Sequence, residues 1–235
     1  MRLHFRLTPN DLPVPWDYFP NLAGWLHGRL QDDADLHDGT SLYSLSGLRH
    51  GRIRRGKLDF EGGSSFSLSS VRDDILVELM SKLVRPPAKG FERDPRRVAW
   101  GMHVEAVDME REPDFGDSAT FFARSPVLVR RSREDGTKEH VLYDDPSADE
   151  LLTRTLHTKQ EAAGLAPAGS MRFARDYGKA KTKLVTYKGV KSRASACPVI
   201  VEGGPDVCAF AWNVGAGHST GVGFGALELL KTDAR

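Results

Sequence analysis

The sequence is poor in the features that define secreted, membrane-spanning or disulfide-stabilised proteins. It has only two cysteines among 235 residues, Cys197 and Cys208, and no apolar run approaches the length of a membrane span. The N-terminal segment MRLHFRLTPND alternates apolar and basic residues, whereas a signal peptide has an unbroken apolar core. We therefore expect a cytoplasmic protein with no membrane association, whose two thiols are buried and reduced.

A strong net charge is also missing. The sequence has 33 Lys and Arg against 32 Asp and Glu, which gives a formal charge of +1. The whole molecule therefore carries no field that would indicate a polyanionic partner, and such evidence must come from local clusters. With 40% hydrophobic and 28% charged residues, the chain has the composition of a globular protein with one large domain or two small ones.

Ligand spacings typical of zinc sites are absent from the sequence. None of the eight histidines lies in a Cys/His cluster of that kind, and each cysteine has only the other nearby. We therefore expect neither a metal ion nor a cofactor.

Apolar periodicity in the first half predicts the order β-α-β-β-α-β. Apolar residues alternate over residues 1–7 and recur at helical spacing over 21–31. A second helix is predicted over 70–84, with Ser69 or Ser70 as its N-cap. The remaining strands are predicted at 42–48, 57–60 and 100–109. This is the element order of a ferredoxin-like domain.

The second half predicts a less regular copy of the same fold. A helix is expected over 146–164, begun by a capping box of Ser147 and Glu150 and ended by Gly164. No second helix is predicted there. The whole chain is thus interpreted as an α+β protein with tandem ferredoxin-like (RRM-like) domains at 1–117 and 118–235. The strands of the second half are predicted at 120–123, 126–131, 183–188, 197–202 and 207–214.

A glycine-rich loop near the C-terminus, WNVGAGHSTGVGFG, follows an apolar segment. Glycine allows positive φ and close approach, so such a run can direct backbone amides toward a phosphate. The run lacks the Gly-Lys-Ser/Thr ending of a Walker A loop, and the ten residues after Gly225 are too few for a dinucleotide-binding unit. A grip on a nucleic-acid backbone and a hairpin that merely closes the sheet both remain open. The glycines are Gly215, Gly217, Gly221, Gly223 and Gly225.

Basic residues concentrate in two acid-poor segments. Residues 49–57, RHGRIRRGK, contain no acidic residue, and residues 170–195 contain a single one, Asp176. Both patterns are typical of phosphate-binding surfaces, and also of solvated basic faces that acids elsewhere balance.

The glycine-rich end resembles a known signature. An apolar segment leads into G-x-G with Ser219, and GFG follows at 223–225, as in the Repeat-Associated Mysterious Protein superfamily. The details are similar to its Cas6 family of CRISPR repeat-processing endoribonucleases. Further segments in family order are MRLHFRLTP, LAGWLHGRL, LHDGTSLYSLSGL, SPVLV and LVTYKG. The resemblance covers most of the chain and implies CRISPR repeat RNA as the substrate, with other Cas proteins as further partners.

The resemblance implies catalytic roles for His27 and His37. His27 lies late in the first predicted helix, where relatives carry tyrosine or histidine, and His37 lies in the following turn. Cleavage without metal needs a base for the 2′-hydroxyl and an acid for the departing 5′-oxygen, and histidine titrates near neutral pH. Without the resemblance, His27 is read as a helix residue bordering the apolar face. His37 is then a turn residue paired with a neighbouring aspartate.

A family lysine that would stabilise the charged phosphorane is missing. Relatives often place it where this sequence has Ser41. The alternatives for a hydrogen bond or a positive charge there are Ser41, Tyr43, Ser46 and Arg49.

The sequence thus predicts one cut within each repeat, leaving a 5′-hydroxyl and a 2′,3′-cyclic phosphate. Two other hypotheses remain: a non-catalytic RNA-binding subunit of an effector complex, and a phosphotransferase, which the short C-terminal remainder disfavours. The predicted RNA contacts are Arg52, Arg54, Arg55, Arg172, Arg175, Lys179, Lys181, Lys183, Lys188, Lys191, Arg193, His218, Ser219 and the five glycines of the loop.

Overall fold

The computed structural model describes residues 1–30, 39–84 and 94–230, and helices alternate with strands in both halves. The helices are α1 Phe19–His27, α2 Asp73–Val84, α3 Ala148–Ala162 and α4 Pro205–Val214, with a 3-10 turn at Thr220–Val222. The strands are β1 Arg2–Leu7, β2 Tyr43–Leu45, β3 Arg52–Arg54, β4 Lys57–Asp59, β5 Ser64–Ser70, β6 Val104–Glu110, β7 Ser118–Ala123, β8 Val129–Ser132, β9 Lys138–Val141, β10 Ser170–Phe173, β11 Lys181–Tyr187, β12 Val190–Ala196, β13 Val199–Glu202 and β14 Leu227–Leu229.

The first half forms a four-stranded antiparallel sheet in the order β2-β5-β1-β6. With α1 after β1 and α2 after β5, this is the ferredoxin-like arrangement. The third strand of the sheet is β5, not the predicted strand at 57–60, which pairs with β3 in an inserted hairpin. Ser69 and Ser70 end β5, so the predicted N-cap is wrong and α2 begins at Asp73. Serine-rich SSFSLSS hides this strand because its polar residues are small and buried.

The second half repeats the same arrangement in full. Its sheet has the order β10-β13-β7-β14, with α3 after β7 and α4 after β13. Two hairpins are inserted into it, β8–β9 and β11–β12. The strand predicted at 207–214 is wrong, since these residues form the second helix of this unit. The predicted division at 117 and 118 stays a prediction.

Helix α4 escaped prediction because it has no broad polar face. Most of its residues are buried, so the apolar run lacks the helical periodicity of a surface helix and is equally typical of a buried strand. Pro205 at the first turn, after two glycines of positive φ, marks its start. Cys208 therefore lies in a helix. Both thiols are free and buried, as expected.

Helix α3 begins and ends at nearly the predicted residues, but without the predicted capping box. The Ser147 hydroxyl donates to Asp145 Oδ1 at 2.7 Å and caps no helical amide. Gly164, with a φ of 74°, lies just beyond the last turn, as predicted. None of the helices that the structure describes is long and apolar enough to cross a membrane.

The two halves meet where α4 packs against β5 and β2. The buried guanidinium of Arg2 in β1 lies 3.8 Å from the centroid of the Trp212 ring and donates to Trp212 O at 2.8 Å. The Ser69 hydroxyl of β5 donates to Asn213 O at 2.9 Å. Backbone carbonyls at the end of α4 are thus satisfied by the first half, which joins the two cores through polar contacts.

Candidate active site

His27 lies on the last turn of α1 and is half-buried beside the apolar face of that helix. Leu22 and Leu26 are fully buried, and Gly28 follows the helix end, which comes earlier than predicted. His27 Nε2 lies 2.8 Å from the hydroxyl oxygen of Tyr43, and the two rings meet nearly edge to face. Tyr43 begins β2 and is held by pairing with Ser70 of β5. The fold thus brings together a histidine and a tyrosine sixteen positions apart.

The His27–Tyr43 pair can hold and move a proton. A neutral imidazole has one donor and one acceptor nitrogen, and a phenol can serve either. The contact therefore fixes the orientation of the His27 ring in either tautomer. A half-exposed imidazole of fixed orientation is suited to general acid or general base chemistry.

The other predicted catalytic residue, His37, lies outside the described residues. Of the alternatives for the missing lysine, Ser41 is half-buried near the glycine-rich loop and Tyr43 contacts His27. Ser46 is 1% exposed, and its hydroxyl accepts the Ser67 amide at 2.7 Å. Arg49 is exposed and lies 3.9 Å from a carboxylate oxygen of Glu228. The structure therefore brings Ser41 and Tyr43 near the site, whereas the hydroxyl of Ser46 is occupied by a hydrogen bond within the sheet.

The glycine-rich loop, residues 215–225, packs against both halves of the molecule. A Cβ added at Gly217 would lie 2.5 Å from Leu128 O, and one at Gly221 would lie 2.6 Å from the Tyr43 ring. At Gly223 it would overlap the ring of Phe19 in α1. The space that glycine leaves is therefore filled by protein. Five residues of the loop have positive φ: Gly215, Gly217, Ser219, Gly223 and Gly225.

Two polar side chains, Thr220 and Lys159, fasten the loop behind the His27–Tyr43 pair. The Thr220 hydroxyl donates to Tyr43 O at 2.9 Å. The ammonium of Lys159 in α3 donates to Thr220 Oγ1 and to two carbonyls, Val214 O and Gly215 O. Sequence reasoning missed both residues, although Lys159 falls three positions after Leu156 on the apolar face of α3. Burial lowers the pKa of Lys159 to about 7.

His218 and Ser219 are half-buried parts of the loop that remain accessible. The Arg130 amide donates to His218 Nδ1 at 3.3 Å, and Arg130 Nη2 donates to Ser219 Oγ at 2.9 Å. Burial, followed by the charge of Arg130, lowers the pKa of His218 to about 4. His218 is therefore neutral at pH 7, with its proton on Nε2, and can offer a hydrogen bond but no charge.

Three of the predicted RNA-contact arginines pair with acids of the protein itself. Arg54 Nη1 lies 2.8 Å from Glu61 Oε1 and 3.3 Å from Asp59 Oδ2. Arg172 lies 3.3 Å from Glu202, and Arg175 pairs with Asp149. The neighbouring Arg52 and Arg55 are exposed on the β3–β4 hairpin. The acid-poor segments of the sequence thus acquire acids through folding, which the linear pattern did not reveal.

The basic residues of the β11–β12 hairpin divide between its two faces. Lys183 is opposite Ala194, whereas Arg193 is opposite Leu184, and side chains alternate along each strand. The first face also carries Val185 and Tyr187, which pack against the core of the first half. The exposed cations of this region are therefore not one stripe. They are Lys179 in the preceding turn, Lys181 and Lys183 on one face, Lys191 and Arg193 on the other, and Lys188 at the tip.

No group of three or more His, Cys, Asp or Glu side chains that could hold a metal ion occurs within residues 1–30, 39–84 and 94–230.

Comparison with known proteins identifies a family and a fold. Residues 110–229, which are 120 of the 235 residues, match the family model described as CRISPR associated protein Cas6, C-terminal. No curated protein matches the sequence.

Solved structures resemble the whole chain at low identity. One, of the product of a Cas6-related gene from Pyrococcus furiosus, has a TM-score of 0.83 at 17% identity and covers 98% of both chains. Another, described as an RAMP protein binding different RNA substrates, has a TM-score of 0.79 at 19% identity, covering 98% of this chain and 100% of that one. A Cas6 product complex has a TM-score of 0.65 at 15% identity, covering 97% and 99%. These likenesses confirm the tandem ferredoxin-like fold.

Proposed function

Because this chain belongs to the Cas6 family of CRISPR-associated proteins, we propose that it is a metal-independent endoribonuclease that cleaves precursor CRISPR RNA within its repeats. Family membership supports a role in CRISPR RNA processing. The observation that carries the proposal is the His27–Tyr43 pair, a half-exposed imidazole of fixed orientation beside the glycine-rich loop. Its partners in this role are repeat RNA and other Cas proteins.

The chemistry requires two proton transfers. A base removes the proton of the 2′-hydroxyl, whose oxygen attacks the adjacent phosphorus, and an acid protonates the departing 5′-oxygen. The products are a 2′,3′-cyclic phosphate and a 5′-hydroxyl. His27 and His37 serve as base and acid, Tyr43 orients His27, and Ser41 or Tyr43 donates to the charged phosphorane.

The RNA lies across the exposed cations, which form its phosphate contacts. Arg52 and Arg55 on one hairpin and the lysines of the other provide the charge, and His218 Nε2 contributes a neutral hydrogen bond. Arg54, Arg172 and Arg175 contribute less, because RNA must compete with their carboxylate partners.

A second candidate function is that of a non-catalytic RNA-binding subunit. Ser41 stands where relatives of the family often carry a lysine, so one source of positive charge at the phosphorane is missing. Such a subunit binds repeat RNA and leaves it intact.

Cleavage of repeat RNA in EDTA tests both candidates. The expected result is cutting by the wild type at one position per repeat, with a cyclic phosphate on the upstream product. His27→Ala and His37→Ala should bind RNA as before and lose cleavage. His157→Ala is the matched control, because that half-buried histidine of α3 lies 2.9 Å from Gly169 O through Nε2 and has no place in the proposed site.

The outcomes separate the hypotheses. Binding without cutting by the wild type supports the RNA-binding subunit. Cutting that persists in both His27→Ala and His37→Ala contradicts the site assignment while leaving the activity intact.

A further inference from the structure

Lys159 is a buried cation that the proposed chemistry does not use. It lies on α3 in the second half and is 5% exposed. Its ammonium donates to Val214 O at 2.9 Å, Gly215 O at 3.1 Å and Thr220 Oγ1 at 3.2 Å. All three acceptors belong to the end of α4 or to the glycine-rich loop. Lysine is rarely buried so fully, because the loss of hydration is costly unless the charge is matched by acceptors.

Two of the three bonds have a local explanation. The last carbonyls of a helix lack partners within the helix, and the C-terminal end of its dipole attracts a positive charge. Lys159 supplies both at the end of α4. The third bond, to Thr220, is not part of this helix cap and requires another reason.

The third bond continues toward the active site. Thr220 has one hydroxyl proton, which it donates to Tyr43 O at 2.9 Å, so its oxygen is available to accept from Lys159. Tyr43 in turn carries the hydroxyl that lies 2.8 Å from His27 Nε2. Gly221, the next residue, brings the loop against the Tyr43 ring. A continuous series of contacts thus joins Lys159 to His27.

The number of bonds at Lys159 depends on its charge. An ammonium has three protons for its three acceptors, whereas a neutral amine has two. Loss of one proton therefore removes one of the three contacts. Burial brings the pKa of Lys159 to about 7, so this loss falls within the range in which a histidine-based nuclease works. The positive charge of Lys159 lowers the pKa of His218, as do the charges of Arg130 and Lys138.

We propose that Lys159 is a positioning residue of the nuclease site, which acts through Thr220 to hold β2 and the glycine-rich loop so that Tyr43 aligns His27. The inference rests on the proposed function. It assigns to the second half of the chain a part in chemistry that takes place on the first.

Thr220→Val is the most direct test, because valine keeps the shape of threonine and replaces the hydroxyl, with both of its hydrogen bonds, by a methyl group. Loss of the equivalent of one hydrogen bond, about 1.4 kcal/mol, should lower the single-turnover cleavage rate about tenfold. The Kd for repeat RNA should change less than twofold. Thr220→Ser, which restores the hydroxyl, should restore the rate. Lys159→Met should lower the rate to a similar degree, and the double variant should be no slower than the slower single one.

Two further measurements keep the test decisive. Val201→Ala, a buried core change on β13, controls for loss of stability and should keep the wild-type rate below its Tm. The pH profile of the rate should change near pH 7 in Lys159→Met, because only the catalytic histidines then contribute to it in that range. The inference is overturned if Thr220→Val and Lys159→Met cleave at the wild-type rate. It is also overturned if the two variants lose RNA affinity by the same factor as cleavage rate. The same holds if their losses of rate are no larger than that of Val201→Ala at an equal fall in Tm.

Failure of the proposed function gives a different result. If the wild type does not cut RNA at all, the imidazole signal of His27, assigned by its absence in His27→Ala, can be titrated by NMR. Positioning by Lys159 then requires that Thr220→Val shift the pKa of His27, and Thr220→Ser leave it unchanged. An unshifted His27 in both variants overturns the inference without reference to cleavage.

Discussion

The two halves of the molecule share one topology but contribute different residues to the candidate site. Each has a βαββαβ unit with the strand order second, third, first, fourth, and each inserts a hairpin between its second and third strands. The first unit provides the half-exposed His27 and the buried Tyr43. The second provides the buried α4, the glycine-rich loop and Lys159. Identical topology therefore fixes neither burial nor role, which depend on the side chains that each unit carries.

The largest expected effect concerns the unit to which we assign the chemistry. His27→Ala should lower the cleavage rate by about 10²- to 10⁴-fold, the usual contribution of a general acid or base. RNA affinity should stay within a factor of two, as measured by filter binding. A His27→Ala enzyme that retains more than a tenth of the rate would remove this histidine from the mechanism.

The contact between the units should be sensitive to Trp212. This fully buried ring packs in the second core and against the Arg2 guanidinium of the first unit. Trp212→Ala should therefore lower the free energy of unfolding by about 3–5 kcal/mol. Urea denaturation followed by far-UV circular dichroism measures the change. Phe210→Ala, also on α4 but 6% exposed, is the comparison and should cost less than Trp212→Ala. Equal losses of unfolding free energy in the two variants would mean that the contact of Trp212 with Arg2 adds nothing to stability.

The buried Lys159 should make stability depend on pH. Its pKa is lowered from 10.5 in the unfolded chain to about 7 in the folded protein. Between those values the unfolded state binds more protons, so stability rises with pH, at up to about 1.4 kcal/mol per pH unit. Below pH 7 both states are protonated and the contribution is constant. The wild type should therefore gain stability relative to Lys159→Met between pH 7 and pH 9. If the free energies of unfolding of the two proteins change in parallel with pH, the lowered pKa of Lys159 is contradicted.

The smallest effects are expected on RNA affinity. Lys191→Ala and Arg193→Ala should each reduce the slope of log Kd against log salt concentration by about 0.7–0.9, the value of one phosphate contact. Arg172→Ala should change the slope less, since Glu202 already pairs with that arginine. A larger effect for Arg172 than for Arg193 would reverse the assignment of the hairpin as the RNA-binding element.

Much of the fold could be predicted from the sequence, because most helices and strands have a clear apolar period. The errors have physical causes. Small buried serines concealed β5, and burial on most sides of α4 removed the polar face that identifies a helix. These two errors concern elements in the middle of the molecule, where packing rather than local pattern decides the structure. The short strands β10 and β14 of the second sheet were also not predicted.

The candidate site could be predicted only in part. His27 came from a resemblance, and its pairing with Tyr43 was not predicted. The contact of Thr220 with Tyr43 joins residues 177 positions apart, for which a single sequence gives no signal. The charge clusters misled because folding pairs Arg172 and Arg175 with acids outside their segment, and pairs Arg54 with acids that lie just beyond its own segment.

The fastening of Tyr43 by Thr220 also has a consequence for synthesis of the protein. Closing so long a loop costs entropy that later contacts must offset, so contacts of this kind form late in folding. All helices and strands of the first unit are synthesised well before Thr220. If the loop is needed to align His27, a growing chain that already contains His27 and Tyr43 is still inactive. Cutting of RNA would then begin only once the chain includes residue 220 and the loop has packed against Tyr43.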